Sequence, residues 1–434
     1  MSSYSQPGTV LTDHRFAVPL DHGDPDGRRI EVFAREVVAA GKAGRADLPW
    51  LLYLQGGPGF GSPRPVGRES WLDRALDDYR VLLLDQRGTG RSTPVNRRTL
   101  ARVGDAAAQA RHLAHFRADS IVLDAELIRR GLIGNRPWSV LGQSFGGFCA
   151  TTYLSFAPEG LREVFVTGGL PGLTATAEDV YRAAYPRVAA KNRAHFERYP
   201  GDAGRAARIA DHLRDHDVRL PGGGLLTVEA FQALGLMLGS GSGGHRLHYL
   251  LEDAFDDAGD GFGTGDDELT DTFLAQVEGQ LSFASAPLYA TVHEAIYAQG
   301  RGSATRWAAQ RVRAEHAAFD PAERPLSFTG EMIYPWMFET DPALRPLRAA
   351  AELVAERDDW PALYDAARLR GNEVPVAAAV YHDDMYVDHG MSMETAATIR
   401  GLRAWVTNEY EHDGLRVSDG RVLDRLIGLV RGES

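Results

Sequence analysis

Trp138-Ser139-Val140-Leu141-Gly142-Gln143-Ser144-Phe145-Gly146-Gly147 is the stretch on which the fold turns. A buried-strand pattern leads into a G-x-S-x-G pentapeptide, and Gly147 to Phe156 reads as a helix behind it. A serine between a strand and a helix occupies a tight, strained turn. Glycines two positions to either side let neighbouring backbone come close, and the serine hydroxyl stands above the sheet edge. The helix N-terminus beyond it favours developing negative charge. Ser144 is therefore a candidate nucleophile.

Working outward, short apolar runs recur between Phe16 and Leu170, each closed by Gly, Pro, Asp or Asn: Ile30 to Ala34, Trp50 to Leu54, Tyr79 to Leu84 and Trp138 to Leu141. Continuous rather than alternating apolar runs predict strands buried on both faces of a parallel sheet. Ser120 to Gly131 carries apolar residues at helical spacing and ends in Arg-Arg-Gly, a helix C-terminus before the next strand. The rhythm is βαβ. From about Leu173 to Leu369 the texture changes to Ala- and Arg-rich helix formers, with two loose-looking pieces, Gly239 to Gly244 and the acidic Glu252 to Glu268. Strand character returns at Val374 to Tyr381 and Ala404 to Thr407, with helices expected over Ser392 to Leu402 and Asp419 to Val430. The expected architecture is α/β: a mostly parallel sheet with helices on both faces, split by an inserted helical cap. The expected boundaries are 1–172 and 371–434 for the sheet domain and 173–370 for the cap.

Composition narrows the function. At 434 residues, with 44% hydrophobic and 24% charged residues, the chain reads as globular. Asp and Glu (59) outnumber Lys and Arg (47), a net charge of -12 that disfavours nucleic acid as a partner. The single cysteine, Cys149, can make no internal disulfide. The N-terminal residues have neither a basic start nor a continuous apolar stretch, and no run reaches membrane-spanning length. A cytoplasmic protein with no membrane association is expected. No His/Cys/Glu cluster stands at metal-ligand spacing, so neither metal nor organic cofactor is expected.

Two further loops follow strand-like runs. Gln55-Gly56-Gly57-Pro58-Gly59 can turn backbone N–H groups toward the space over Ser144. Pro58 has no N–H, so Gly57 or Gly56 donates, and the N–H of Phe145 supplies a second oxyanion donor. Asp85-Gln86-Arg87-Gly88-Thr89-Gly90-Arg91-Ser92 offers charges that brace loops by ion pairing and no direct chemistry. A serine hydroxyl needs a base, and the base an orienting acid. In the α/β-hydrolase fold, which the elbow implies, the chain order is serine, acid, histidine. The acid belongs just after a late strand, where Asp383, Asp384 and Asp388 compete. The histidine belongs after one further strand, where His412 stands. His382 and His389 lie too close to the acid strand.

At these residues the sequence resembles the proline iminopeptidase family of α/β-hydrolase serine peptidases. The family pattern of His-Gly-Gly-Pro-Gly, Asp-Gln-Arg-Gly-x-Gly-x-Ser and Gly-x-Ser-x-Gly-Gly is matched at Gln55 to Gly59, Asp85 to Ser92 and Gly142 to Gly147. Gln55 departs from it, replacing the usual histidine; because the oxyanion donors are backbone groups, activity is expected to survive. The resemblance implies a triad of Ser144, Asp384 and His412, an oxyanion hole at Gly57 and Phe145, and release of an N-terminal proline from peptide substrates with a free N-terminus. It also implies cap glutamates that hold the substrate amine, for which Glu294 and Glu331 are the candidates. A carboxylesterase or amidase on the same triad, and a catalytically silent binding protein, are the competing expectations. Amine dependence separates the peptidase from the first, and serine labelling from the second.

Overall fold

A computed structural model describes residues 2–256 and 267–433. Its strands are β1 (Ser2–Gln6), β2 (Thr9–Pro19), β3 (Arg29–Ala39), β4 (Trp50–Leu54), β5 (Arg80–Leu84), β6 (Trp138–Gln143), β7 (Leu161–Thr167), β8 (Gly300–Arg301), β9 (Asp359–Trp360), β10 (Val376–Tyr381) and β11 (Leu402–Thr407). Nine of them form one sheet in the order β1-β2-β3-β5-β4-β6-β7-β10-β11, while β8 and β9 pair separately. The pairings from β5 through β11 are parallel, and β1, β2 and β3 add an antiparallel edge. The resulting sheet is mostly parallel.

The apolar runs behave as double-sided strands. Successive side chains point to opposite faces, so Leu52 and Leu54 join Val140, Phe148 and Tyr153 on one side of the sheet. Leu51 and Tyr53 join Trp71, Leu76 and Leu426 on the other. Helix Phe145–Phe156 packs in the first layer, and helices Ser70–Asp78 and Arg421–Arg431 in the second. A third apolar cluster draws mainly on residues between Ala177 and Trp360 and includes Met385. Among the described residues of that stretch, the regular structure is helical apart from the two-residue strands β8 and β9 and isolated bridges.

Several expectations shift. The helix expected over Ser120–Gly131 runs from Ala118 to Ile133, and the one expected over Ser392–Leu402 runs from His389 to Thr398, because Asp388 caps it through the N–H of Met391. Gly239 to Gly244 is not loose. It joins a 3-10 helix, Ala233–Gly239, to helix Gly243–Glu252, and a Cβ on Gly239 would sit 2.1 Å from the Tyr386 ring. Of the acidic stretch Glu252 to Glu268, residues 257–266 lie outside the described residues. The hairpin β1–β2 had no counterpart among the apolar runs: its strands are polar or alternating, as antiparallel strands with a solvated face are. Among the described residues no helix is long and apolar enough to cross a membrane.

Candidate active site

Ser144 lies between β6 and helix Phe145–Phe156 with φ 56° and ψ −126°, a conformation side chains rarely adopt. Close approach explains the flanking glycines. A Cβ on Gly142 would fall 2.3 Å from the Gly146 carbonyl oxygen, and one on Gly146 would fall 1.9 Å from that of Leu54. The Ser144 N–H donates to Thr167 O at 3.0 Å, which ties the turn to the end of β7. Phe145 opens the helix, where backbone N–H groups have no intrahelical acceptor.

The histidine and acid converge from the last two parallel strands. His412 Nδ1 and Asp384 Oδ2 are 2.6 Å apart, both buried. The other Asp384 oxygen accepts from the N–H groups of Tyr386 and Val387 at 2.8 and 3.2 Å. Its rivals are otherwise disposed: Asp383 is exposed, and Asp388 caps a helix and pairs with Arg187 at 2.8 Å. Burial acts to lower the His412 pKa, but the Asp384 charge and hydrogen bond, with Glu331 adding, carry it above its ordinary value. Ser144, His412, Gly57 and Glu331 all line one cavity of about 380 Å³. Such a set can draw a proton from a hydroxyl and receive an oxyanion on backbone donors.

Glu331 and Glu294 part company. Glu331 lines the cavity beside Tyr289, Trp336 and Met332 and accepts from the Tyr289 hydroxyl at 2.8 Å. Burial pushes its carboxyl up to about 7, against the opposing pull of His412 and the Tyr289 bond. Glu294 is not among the residues that line this cavity. Its two oxygens accept from the N–H groups of Ala308 and Ala309 at 3.0 and 2.9 Å, serving the start of helix Ala308–Arg313. Burial also raises its carboxyl to about 7, while those N–H groups oppose the rise. Helix N-termini satisfy carboxylates as well as ligand ammoniums do.

Around the site, Asp85 takes Arg64 and the N–H groups of Ser62 and Arg91, and buried Arg87 is forked on Asp124 at 2.6 and 2.7 Å. Both charges brace loops. The Gln55 side chain accepts from the Tyr53 hydroxyl at 2.9 Å, and its backbone carbonyl accepts from the Gln86 amide at 3.0 Å, so the start of the glycine loop is tied to β4 and to the Asp85–Ser92 loop. Sequence reasoning missed Tyr289, Tyr386 and Arg416 in the cavity wall. Only Arg416, four residues beyond His412, carried a positional signal.

The model of the alpha/beta hydrolase fold family matches residues 49–266. A proline iminopeptidase of Aeromonas sobria is 51% identical over 430 residues, 99% of this chain and 98% of that one. The proline iminopeptidase aneH of Aspergillus aculeatus is 38% identical over 98% of this chain and 95% of its own. With these relatives aligned along nearly their full length and the serine elbow in place, the chain is an enzyme of the proline iminopeptidase family, serine hydrolases built on the α/β-hydrolase fold.

Proposed function

We propose that the enzyme releases an N-terminal proline, or a similarly small residue, from peptides by forming and hydrolysing an acyl-enzyme at Ser144. The observation that carries this reading is the shared cavity that Ser144, His412 and the half-buried carboxylate of Glu331 all line. A substrate ammonium on Glu331 fixes the first residue and brings its carbonyl to Ser144. Ser144 Oγ attacks, His412 takes the hydroxyl proton on Nε2, and Asp384 holds the ring through Nδ1. The N–H groups of Phe145 and Gly57 receive the oxyanion. His412 then gives its proton to the departing peptide amine. Water enters, loses a proton to the same base, and frees the acyl group as a carboxylic acid.

Residues 173–370 are taken as the cap and 1–172 with 371–434 as the catalytic core. The cap, which carries Glu331, selects the substrate. The cytoplasm suits the protein, since its one cysteine, Cys149, is buried and needs no oxidising partner.

The test compares proline-β-naphthylamide, its N-acetyl derivative and a short acyl ester on wild type and Ser144→Ala. Cleavage of the free-amine substrate, lost on acetylation and in the variant, is expected. Ester cleavage without amide turnover would replace the peptidase reading by an esterase.

A further inference from the structure

The cavity over Ser144 is unevenly charged. Glu278, Glu331 and Asp341 line it, whereas Arg416 is its one Lys or Arg among the described residues. Two of the carboxylates are taken by backbone: Glu278 by the Gly222 N–H at 2.7 Å, and Asp341 by those of Phe283 and Ala343 at 2.9 and 2.7 Å. Arg416 is exposed, and among the described residues no carboxylate lies within ion-pair reach of its guanidinium.

Arg416 sits four residues past His412, in the short helix Gly414–Val417. Its N–H donates to Asp413 O at 2.8 Å, and its carbonyl accepts from Ser70 Oγ at 2.6 Å, so its backbone is pinned. Its charge reaches the base, where it opposes the rise in the His412 pKa. His412 delivers a proton to the departing amine, so the first leaving residue lies beside His412. In a dipeptide that residue also carries a carboxylate, two bonds from the new amine. A planar guanidinium matches a carboxylate in a two-pronged way that an ammonium does not.

We infer that Arg416 is a specificity-determining residue that takes the free carboxylate of the leaving residue, so that dipeptides Pro-Xaa are favoured over their C-terminal amides. The inference rests on the peptidase reading above. An amide or a longer peptide presents a neutral carbonyl at the same place and leaves the guanidinium with solvent alone.

The experiment measures kcat/KM for Pro-Ala, Pro-Ala amide and proline-β-naphthylamide on wild type, Arg416→Gln and Arg416→Lys. Wild type is expected to favour Pro-Ala over its amide by about fivefold, the effect of one partly exposed ion pair. Arg416→Gln brings that ratio to about one, and Arg416→Lys restores part of it. A wild-type ratio of one or less, or a ratio that survives in Arg416→Gln, overturns the inference. The naphthylamide keeps the two levels apart. If wild type cleaves it and shows no preference for the free acid, only the role of Arg416 falls; if wild type leaves all three substrates intact, the peptidase reading falls with it.

Discussion

Glu331→Gln removes a charge and little volume, and its consequences can be worked from the cavity. The wild-type carboxyl, raised to about 7 by burial, is a neutral acid in about nine molecules of ten at pH 6 and a carboxylate in about nine of ten at pH 8. Only the carboxylate holds a substrate ammonium, so productive binding rises about tenfold across that interval. His412 must also be deprotonated to act, and its pKa lies above the ordinary value. Two groups therefore lose protons on the acid side, and log kcat/KM climbs with a slope approaching two. The variant keeps only the histidine limb, with slope one. Because the Glu331 charge helps hold the His412 pKa up, that limb moves to lower pH. Losing a hydrogen bond to a charged group costs about 1.5–3 kcal/mol, about 10- to 150-fold in kcat/KM at pH 8. The assay is proline-β-naphthylamide hydrolysis from pH 5 to 9 at fixed ionic strength. Identical limbs in both enzymes, with less than a threefold loss, would refute a role for Glu331 in holding the amine.

Three further substitutions probe the rest of the site. Asp384→Asn keeps an acceptor for the Tyr386 and Val387 N–H groups but sets His412 in the wrong tautomer, so kcat should fall by about 10⁴ with the melting curve little changed. Gly146→Ala drives a Cβ to 1.9 Å from the Leu54 carbonyl oxygen; we expect a loss of about 3 kcal/mol and, for a chain of this size, a Tm lower by about 3 °C. Glu294→Gln puts an NH₂ against the Ala308 or Ala309 N–H, which should cost about 1–2 kcal/mol in a denaturant melt while KM for the free-amine substrate stays within twofold. A KM rise in that variant as large as in Glu331→Gln would restore Glu294 to the binding site.

What was legible in the sequence follows from how local each constraint is. The parallel strands could be read because burial on both faces leaves a continuous apolar run, as in Leu51 to Leu54 and Leu82 to Leu84. The elbow could be read because its glycines answer a steric demand within a few residues. The position of His412 follows from chain order. The cap resisted for the opposite reason. A glutamate in an apolar, aromatic setting needs a donor, but the sequence cannot say whether that donor is a ligand or a helix start: Glu294 found the N–H groups of Ala308 and Ala309, and Glu331 found Tyr289 and the open cavity. Tyr289 and Tyr386 reach the site through contacts spanning 42 and 150 residues, to Glu331 and to the Leu236 carbonyl, and no periodicity encodes such pairings.

Those long-range contacts also bear on how cap and core divide the work. The loops that carry the acid and the base are held from the cap side as well as from the sheet. The His412 N–H donates to the Gly239 carbonyl at 3.2 Å, and the Tyr386 hydroxyl, whose ring stands edge-on to His412 at 4.8 Å, donates to the Leu236 carbonyl. Lys191 pairs with Glu411 at 2.5 Å, and Arg187 holds both Asp388 and the His382 carbonyl. Ser144, by contrast, is fixed by β6, β7 and the close approach of Leu54, all within the sheet. The nucleophile thus belongs to the core alone, while the base is suspended between core and cap. A motion of the cap that opened the cavity would carry the Gly239 and Leu236 carbonyls with it and loosen His412 before it disturbed Ser144. The alignment of the base therefore depends on the same inserted stretch that carries Glu331, the residue proposed to hold the substrate amine.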